Sequence, residues 1–190
     1  MATELVPRLF SVQEYHRMAE IGILEDGERV ELLDGIVVTM SPIGRPHWAR
    51  HAAIDSYLQD VFPENTTIVG QGSFPLGDRN EPQPDIALVD GIDWEIRECG
   101  PAPSDLIALI EIADSSVLKD LGRKQHLYAR FGIADYLVVD LGADELVHHT
   151  VPHQLGYAQV VRRAHADRFR LARRPEIELA ADRFLSRARR

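Results

Sequence analysis

The chain has 190 residues, 45% of them hydrophobic, and a formal charge of −9. That length suffices for one domain with a substantial core, and the acidic balance disfavours tight non-specific adhesion to nucleic acid, which needs several phosphate-neutralising cations. No apolar run approaches the roughly 20 residues of a spanning helix, the opening MATELVPRLF lacks the layout of a secretory signal, and the single Cys99 rules out an intrachain disulfide or a CxxC pair; one cytoplasmic domain over residues 1–190 is expected.

In chain order, the first signal is Ser11 with Glu14 three residues later, a capping box that opens a helix reaching about Ala19. ERVELL and IVVTM, joined by Asp34-Gly35, read as a hairpin, because Asp-Gly tolerates the positive φ angles of a type I′ turn. Ser41-Pro42 ends it. From about Pro46 the stripe His47, His51, Ile54, Leu58, Val61 recurs at helical spacing and predicts a helix with one inward face. TTIVGQGSF and DIALV read as strands on either side of the loop GDRNEPQP, and a second surface loop runs from about Asp90 to Ser104. LIALIEI has the near-continuous apolar character of a strand covered on both faces. A helix from about Ser116 to Phe131 follows, with Gly132 placed to end it, and DYLVVDL is a further buried strand. The tail reads as one or two strands, GYAQVVRR and DRFRLA, with a short terminal helix after Pro175. This order predicts an α/β fold with a central mixed sheet flanked by helices, preceded by a helix and a β-hairpin. Strand order does not follow from it.

Charge is uneven along the chain. Residues 1–161 hold 11 Lys and Arg against 26 Asp and Glu, whereas residues 162–190 hold 10 against 4. The Arg-rich end reads either as a solvated face or as a phosphate-contacting surface. Glu111 is the most informative carboxylate, because it lies inside LIALIEI, where an unpaired charge would lose much of its hydration. Its partner is either a structural cation or a coordinated metal ion. Asp85 opens DIALV, near a sheet end that loops and solvent reach. Alone it reads as a turn or capping Asp after Pro; paired with Glu111 it gives an oxygen site of the kind that suits Mg²⁺. Lys124 falls on the inward stripe Val117, Leu121, Lys124, Tyr128, Phe131, whereas Lys119 and Arg123 lie off it. These two are the chain's only lysines against 19 arginines, yet a lysine takes the inward position. Its compact ammonium can approach a water or a phosphate where a guanidinium fits differently, and snorkelling of its stem is the alternative.

PQPDIALV followed by LIALIEIADSSVLKDLGRKQHLYARFGIADYLVVDL resembles the signature of the bacterial Uma family, within the PD-(D/E)XK nuclease superfamily. The resemblance includes Pro84-Asp85, Glu111 with Ser115 after it, Asp120 and Lys124 on one helix, then Tyr128, Gly132 and Asp135-Tyr136. VELLDGIVVTMSP followed by His47 matches the family's N-terminal region, so the similarity runs from about Ser11 and is weakest beyond Gly142. The superfamily's usual lysine, two residues after the second acid, is replaced by Ala113, and the resemblance assigns its role to Lys124, in agreement with the helical stripe. It further implies that the Ile112 carbonyl assists Asp85 and Glu111 in holding metal, and that Glu31, on the hairpin, assists metal or water binding; an exposed strand glutamate is the plainer reading of Glu31.

His47 and His51 share helical spacing, and His148, His149 and His153 cluster near an expected turn, where satisfied or solvent-facing histidines are the plainer reading. HExxH, P-loop and GxGxxG patterns are absent from the sequence. The expectation is a restriction endonuclease-like fold with Mg²⁺-dependent hydrolysis of DNA, Mn²⁺ able to substitute, Asp85, Glu111, Lys124 and Glu31 as catalytic residues, a homodimer among the forms it takes, and no membrane partner. The alternative, which the acidic body keeps open, is a catalytically inactive nuclease-fold protein that binds DNA or another protein; the presence of Asp85, Glu111 and Lys124 together favours the enzyme.

Overall fold

The Ser11 hydroxyl accepts from the Glu14 amide at 3.2 Å, and the Glu14 carboxylate accepts from the Ser11 amide at 3.0 Å, closing the capping box that starts helix α1 (Val12–Glu20). This and the following geometry come from a computed structural model that describes residues 6–91, 100–113 and 118–185, and of residues 118–121 the backbone alone. Cys99, most of the loop expected between Asp90 and Ser104, Ser115, the expected helix start at Ser116-Val117, the side chains of Lys119, Asp120 and Leu121, and Arg187, Arg189 and Arg190 lie outside the described residues.

The chain divides into two compact units, Met1–Pro42 with Ser73–Gln83, and Ile43–Gly72 with Pro84–Arg190. In the first, β1 (Val30–Leu33) and β2 (Ile36–Thr39) pair antiparallel around Asp34 at φ 49° and Gly35 at φ 77°. Positive φ at both turn residues is what a type I′ hairpin demands and what Asp-Gly supplies. Leu32 and Glu81 exchange backbone hydrogen bonds, at 3.3 and 2.8 Å, which ties the segment 73–83 to the hairpin. Tyr15, Val30 and Leu32 form this unit's core.

The second unit is built on a six-stranded mixed sheet in the order β3 (Thr66–Gly70), β4 (Ile86–Asp90), β5 (Leu106–Ala113), β6 (Asp135–Asp140), β7 (Glu145–His153), β8 (Gly156–Arg163). Only β5 and β6 run parallel; the other neighbours are antiparallel. A parallel pair needs a crossover, and helix α3 (Leu118–Arg130) supplies it before Gly132, at φ 75°, ends the helical path. Every residue of β5 and β6 is buried, as the apolar runs predict. Ala108, Ile110 and Ile112 of β5 enter a core shared with Ile54 and Leu58 of helix α2 (Arg45–Val61). The alternation of a strand sends Glu111 to the opposite face, where α3 lies.

The tail differs from expectation. It holds four strands, not one or two: ELVHHTVPH is β7, and after β8 come β9 (Arg168–Leu171) and β10 (Arg174–Ala180). Pro175 lies inside β10, where the ladder with β9 shifts register between Arg174 and Leu179, a place that tolerates a residue without an amide donor. The only helical piece described after it is a 3₁₀ turn at Ala181–Arg183. His148 and His149 are buried strand residues and not turn residues; His148 Nε2 donates to Asp135 Oδ1 at 2.7 Å. The tail arginines are engaged within the chain: Arg162 pairs with Glu145, Arg168 with Asp182, Arg170 with Glu178, and both Arg173 and Arg174 with Asp90. Such pairing fits the solvated-face reading of this run. No described helix is long and apolar enough to cross a membrane.

Candidate active site

The register of β4 on β5 pairs Ile86 with Ile110. Asp85 immediately precedes Ile86 and Glu111 immediately follows Ile110, so antiparallel pairing brings the two carboxylate positions abreast. Asp85 Oδ2 accepts from the Ile112 amide at 2.7 Å, closing the end of the ladder through a side chain. Asp85 and Glu111 are 7% and 5% exposed, and charges so deeply buried need partners of opposite sign or strong donors.

For Glu111 these come from one face of α3. Lys124 Nζ and the Tyr128 hydroxyl, one helical turn apart, each donate to Glu111 Oε1 at 3.0 Å. Lys124 is 6% exposed, Tyr128 is fully buried and Arg123 is exposed, so of the expected stripe the described members Lys124 and Tyr128 face inward. The Tyr128 ring stands edge-on to Tyr136 at 5.0 Å, and Tyr136 packs on His149 at 5.2 Å. Burial among these rings pushes the His149 imidazole below its usual range, against a smaller opposing pull from its hydrogen bond to the Tyr136 carbonyl.

For Asp85 the partners come from α2. His47 Nε2 lies 3.0 Å from Asp85 Oδ2, and His51 Nε2, one turn later, lies 2.9 Å from the Asp85 carbonyl oxygen. Both acceptors are oxygens without hydrogen, so in each imidazole Nε2 is the donating nitrogen. The same carbonyl also accepts from the Gln71 amide at 2.9 Å. His51 reaches this position because Gly70 has no side chain: a Cβ there would come within 3.0 Å of His51 Cε1. The helical spacing of the two histidines was visible in the sequence, but their attachment to Asp85 was not. Tyr128 likewise read as a packing residue, and its hydroxyl turns out to serve Glu111.

Glu31, on β1 of the first unit, is 5% exposed and accepts from the Gln83 amide at 3.1 Å. It is therefore not the exposed strand glutamate of the plainer reading. Among the described residues no group of three or more His, Cys, Asp or Glu side chains forms a metal cage. Mg²⁺ does not require one, since it is commonly held by one or two carboxylates, with water and substrate phosphate completing its shell. The donor chemistry of Asp85 and Glu111, two hard oxygen ligands abreast, fits that mode of binding.

The family described as "Putative restriction endonuclease" (Uma2) matches residues 12–182. The chain belongs to this family. Its match spans both compact units, from α1 to the 3₁₀ turn that follows β10. A solved structure described as a "putative nuclease belonging to DUF820", from Anabaena variabilis, has 14% sequence identity and a TM-score of 0.69, covering 92% of this chain and 97% of that one. At that identity the likeness bears on the fold, which is the restriction endonuclease-like α/β arrangement expected from the sequence. No curated protein matches.

Proposed function

We propose that this Uma2 chain is a divalent-metal-dependent endonuclease that hydrolyses DNA phosphodiester bonds. The observation that carries the reading is the buried pairing of Asp85 with Glu111 across two strands, with Lys124 on Glu111, in a chain of this family. Among the described residues, two carboxylates meet one ammonium here, a balance that would repel a phosphate, and a bound cation removes that conflict.

Asp85, Glu111 and the backbone carbonyl of Ile112 would hold Mg²⁺, or Mn²⁺ in its place. Such an ion supplies charge neutralisation at the phosphate and a lowered pKa for bound water. The remaining tasks fall to the protein. His47 and the Ile112 amide fix the rotamer of Asp85 through its Oδ2. Tyr128 fixes Glu111 from the other side. Lys124, a point charge with three donors, orients the attacking water and meets the developing negative charge as the new P–O bond forms and the old one breaks. Glu31 is assigned an assisting role on the family resemblance.

A second reading is favoured by one observation: Glu111 already has a buried cation and a hydroxyl on it. In that reading the Glu111–Lys124–Tyr128 group is structural and the chain is an inactive nuclease-fold module that binds DNA or a protein. Supercoiled plasmid incubated with purified protein and Mg²⁺ or Mn²⁺ separates the two. The nuclease reading expects nicking or cleavage that Asp85→Ala and Lys124→Ala abolish; equal cleavage by folded variants, or none by the parent with either metal, refutes it.

A further inference from the structure

Next to Asp85 lies a cleft that the proposed hydrolysis does not use. Its volume is about 170 Å³, and Ile43, His47, Trp48, His51, Gly70 and Gln71 line it. Pockets that enclose whole small-molecule ligands run from about 300 Å³ upward. This one is too small for that and suits a single flat group seated at its mouth.

Three features bear on what that group is. Trp48 lines the cleft while 67% exposed, so its indole is open to a ligand. Among the described residues no carboxylate lines the cleft, and the exposed Arg45 lies three residues before Trp48 on the same helix. His47 and His51 tie the cleft directly to the Asp85 carboxylate and carbonyl.

On the strength of the nuclease reading of Asp85, we infer that this cleft seats an unstacked nucleobase beside the scissile phosphate. Trp48 stacks on the base, and Arg45 meets a neighbouring phosphate. Stacking on aromatic side chains with a nearby cation is how proteins hold single strands without regard to sequence. Within a duplex an indole reaches the face of a base only when that base has left the stack. The preferred substrate is therefore DNA with unpaired nucleotides: a single strand, a frayed end, or a flap.

Binding is read separately from cleavage by fluorescence anisotropy with Ca²⁺ in place of Mg²⁺, a hard cation for the same carboxylates, using a labelled single-stranded oligonucleotide and the blunt duplex of the same sequence. Trp48→Ala is expected to weaken single-strand binding roughly 5- to 150-fold, Trp48→Phe to retain most of it, and neither to change duplex binding. Because Trp48 is exposed, both variants should melt with the parent. In a Trp94→Phe background, where Trp48 is the remaining tryptophan, saturating oligonucleotide should quench the emission. Unchanged single-strand binding by folded Trp48→Ala, unmoved emission at saturation, or no binding of either DNA overturns the base seat. The two readings fail separately. Metal-dependent cleavage that needs Asp85 but is indifferent to Trp48 removes the seat alone. Trp48-dependent single-strand binding without any cleavage removes the nuclease alone and keeps the seat as a binding site.

Discussion

Substituting Lys124 by Ala removes the buried ammonium that lies 3.0 Å from Glu111 and leaves that carboxylate 5% exposed, with the Tyr128 hydroxyl still donating to it. Breaking a buried pair from one side costs about 3–5 kcal/mol, because the remaining charge keeps its desolvation penalty and loses its compensation. A chain of this size loses roughly 2–4 °C of Tm per kcal/mol, so thermal unfolding followed by circular dichroism should show a drop of roughly 6–20 °C. The double variant Glu111→Leu/Lys124→Met, which removes both charges and keeps apolar volume, should melt close to the parent. Millimolar Mn²⁺ should raise the Tm of Lys124→Ala more than that of the parent, since a cation binding only the folded state restores the missing positive charge. A loss below about 1 kcal/mol for Lys124→Ala would refute the idea that its ammonium neutralises Glu111.

Tyr128→Phe deletes one donor to the Glu111 carboxylate while keeping the ring on Tyr136, and should cost about 1.5–3 kcal/mol in urea unfolding. Asp135→Ala orphans both His148 Nε2 and the Ala172 amide, at about 1–3 kcal/mol each, yet cleavage per folded molecule should stay at the parent level, because neither group touches Asp85 or Glu111 in the structure. Burial holds the His149 pKa below its ordinary 6.5, so the unfolded chain takes up a proton that the folded one resists. Stability should therefore fall as pH drops below about 6.5 and level off once the pH is under the folded-state pKa. His149→Gln should flatten that slope in urea midpoints measured from about pH 7.5 to about pH 5.5; an unchanged slope would assign it to other groups.

What was legible in the sequence is what rests on neighbours along the chain. The Ser11–Glu14 box, the Asp34-Gly35 turn, the apolar runs of β5 and β6 and the stop at Gly132 are local chemistry, and each appears where it was expected. Lys124 was legible for the same reason, since a helix repeats its face by fixed spacing. The tail was misread because its signals are not local. His148 and His149 look polar in β7, and become acceptable there only because Asp135, the Tyr136 carbonyl and the surrounding rings receive them. Pro175 resembles a helix start until the register shift of β10 gives it a place in a strand. The partners of the site were invisible for a related reason. That His47 and His51 meet Asp85, and that the Ile112 amide does too, depends on the β4–β5 register and on the missing side chain of Gly70, which lie tens of residues apart in the chain.

A crystal grown with Mn²⁺, with anomalous scattering collected at the manganese edge, tests the proposed metal centre directly. A nuclease centre at Asp85 and Glu111 predicts an anomalous peak within coordination distance of both carboxylates, about 2.0–2.3 Å, that disappears in Asp85→Ala. Fully loaded crystals with no peak there, and with Lys124 Nζ 3.0 Å from Glu111, would contradict it and leave the Glu111–Lys124 pair as a structural salt bridge.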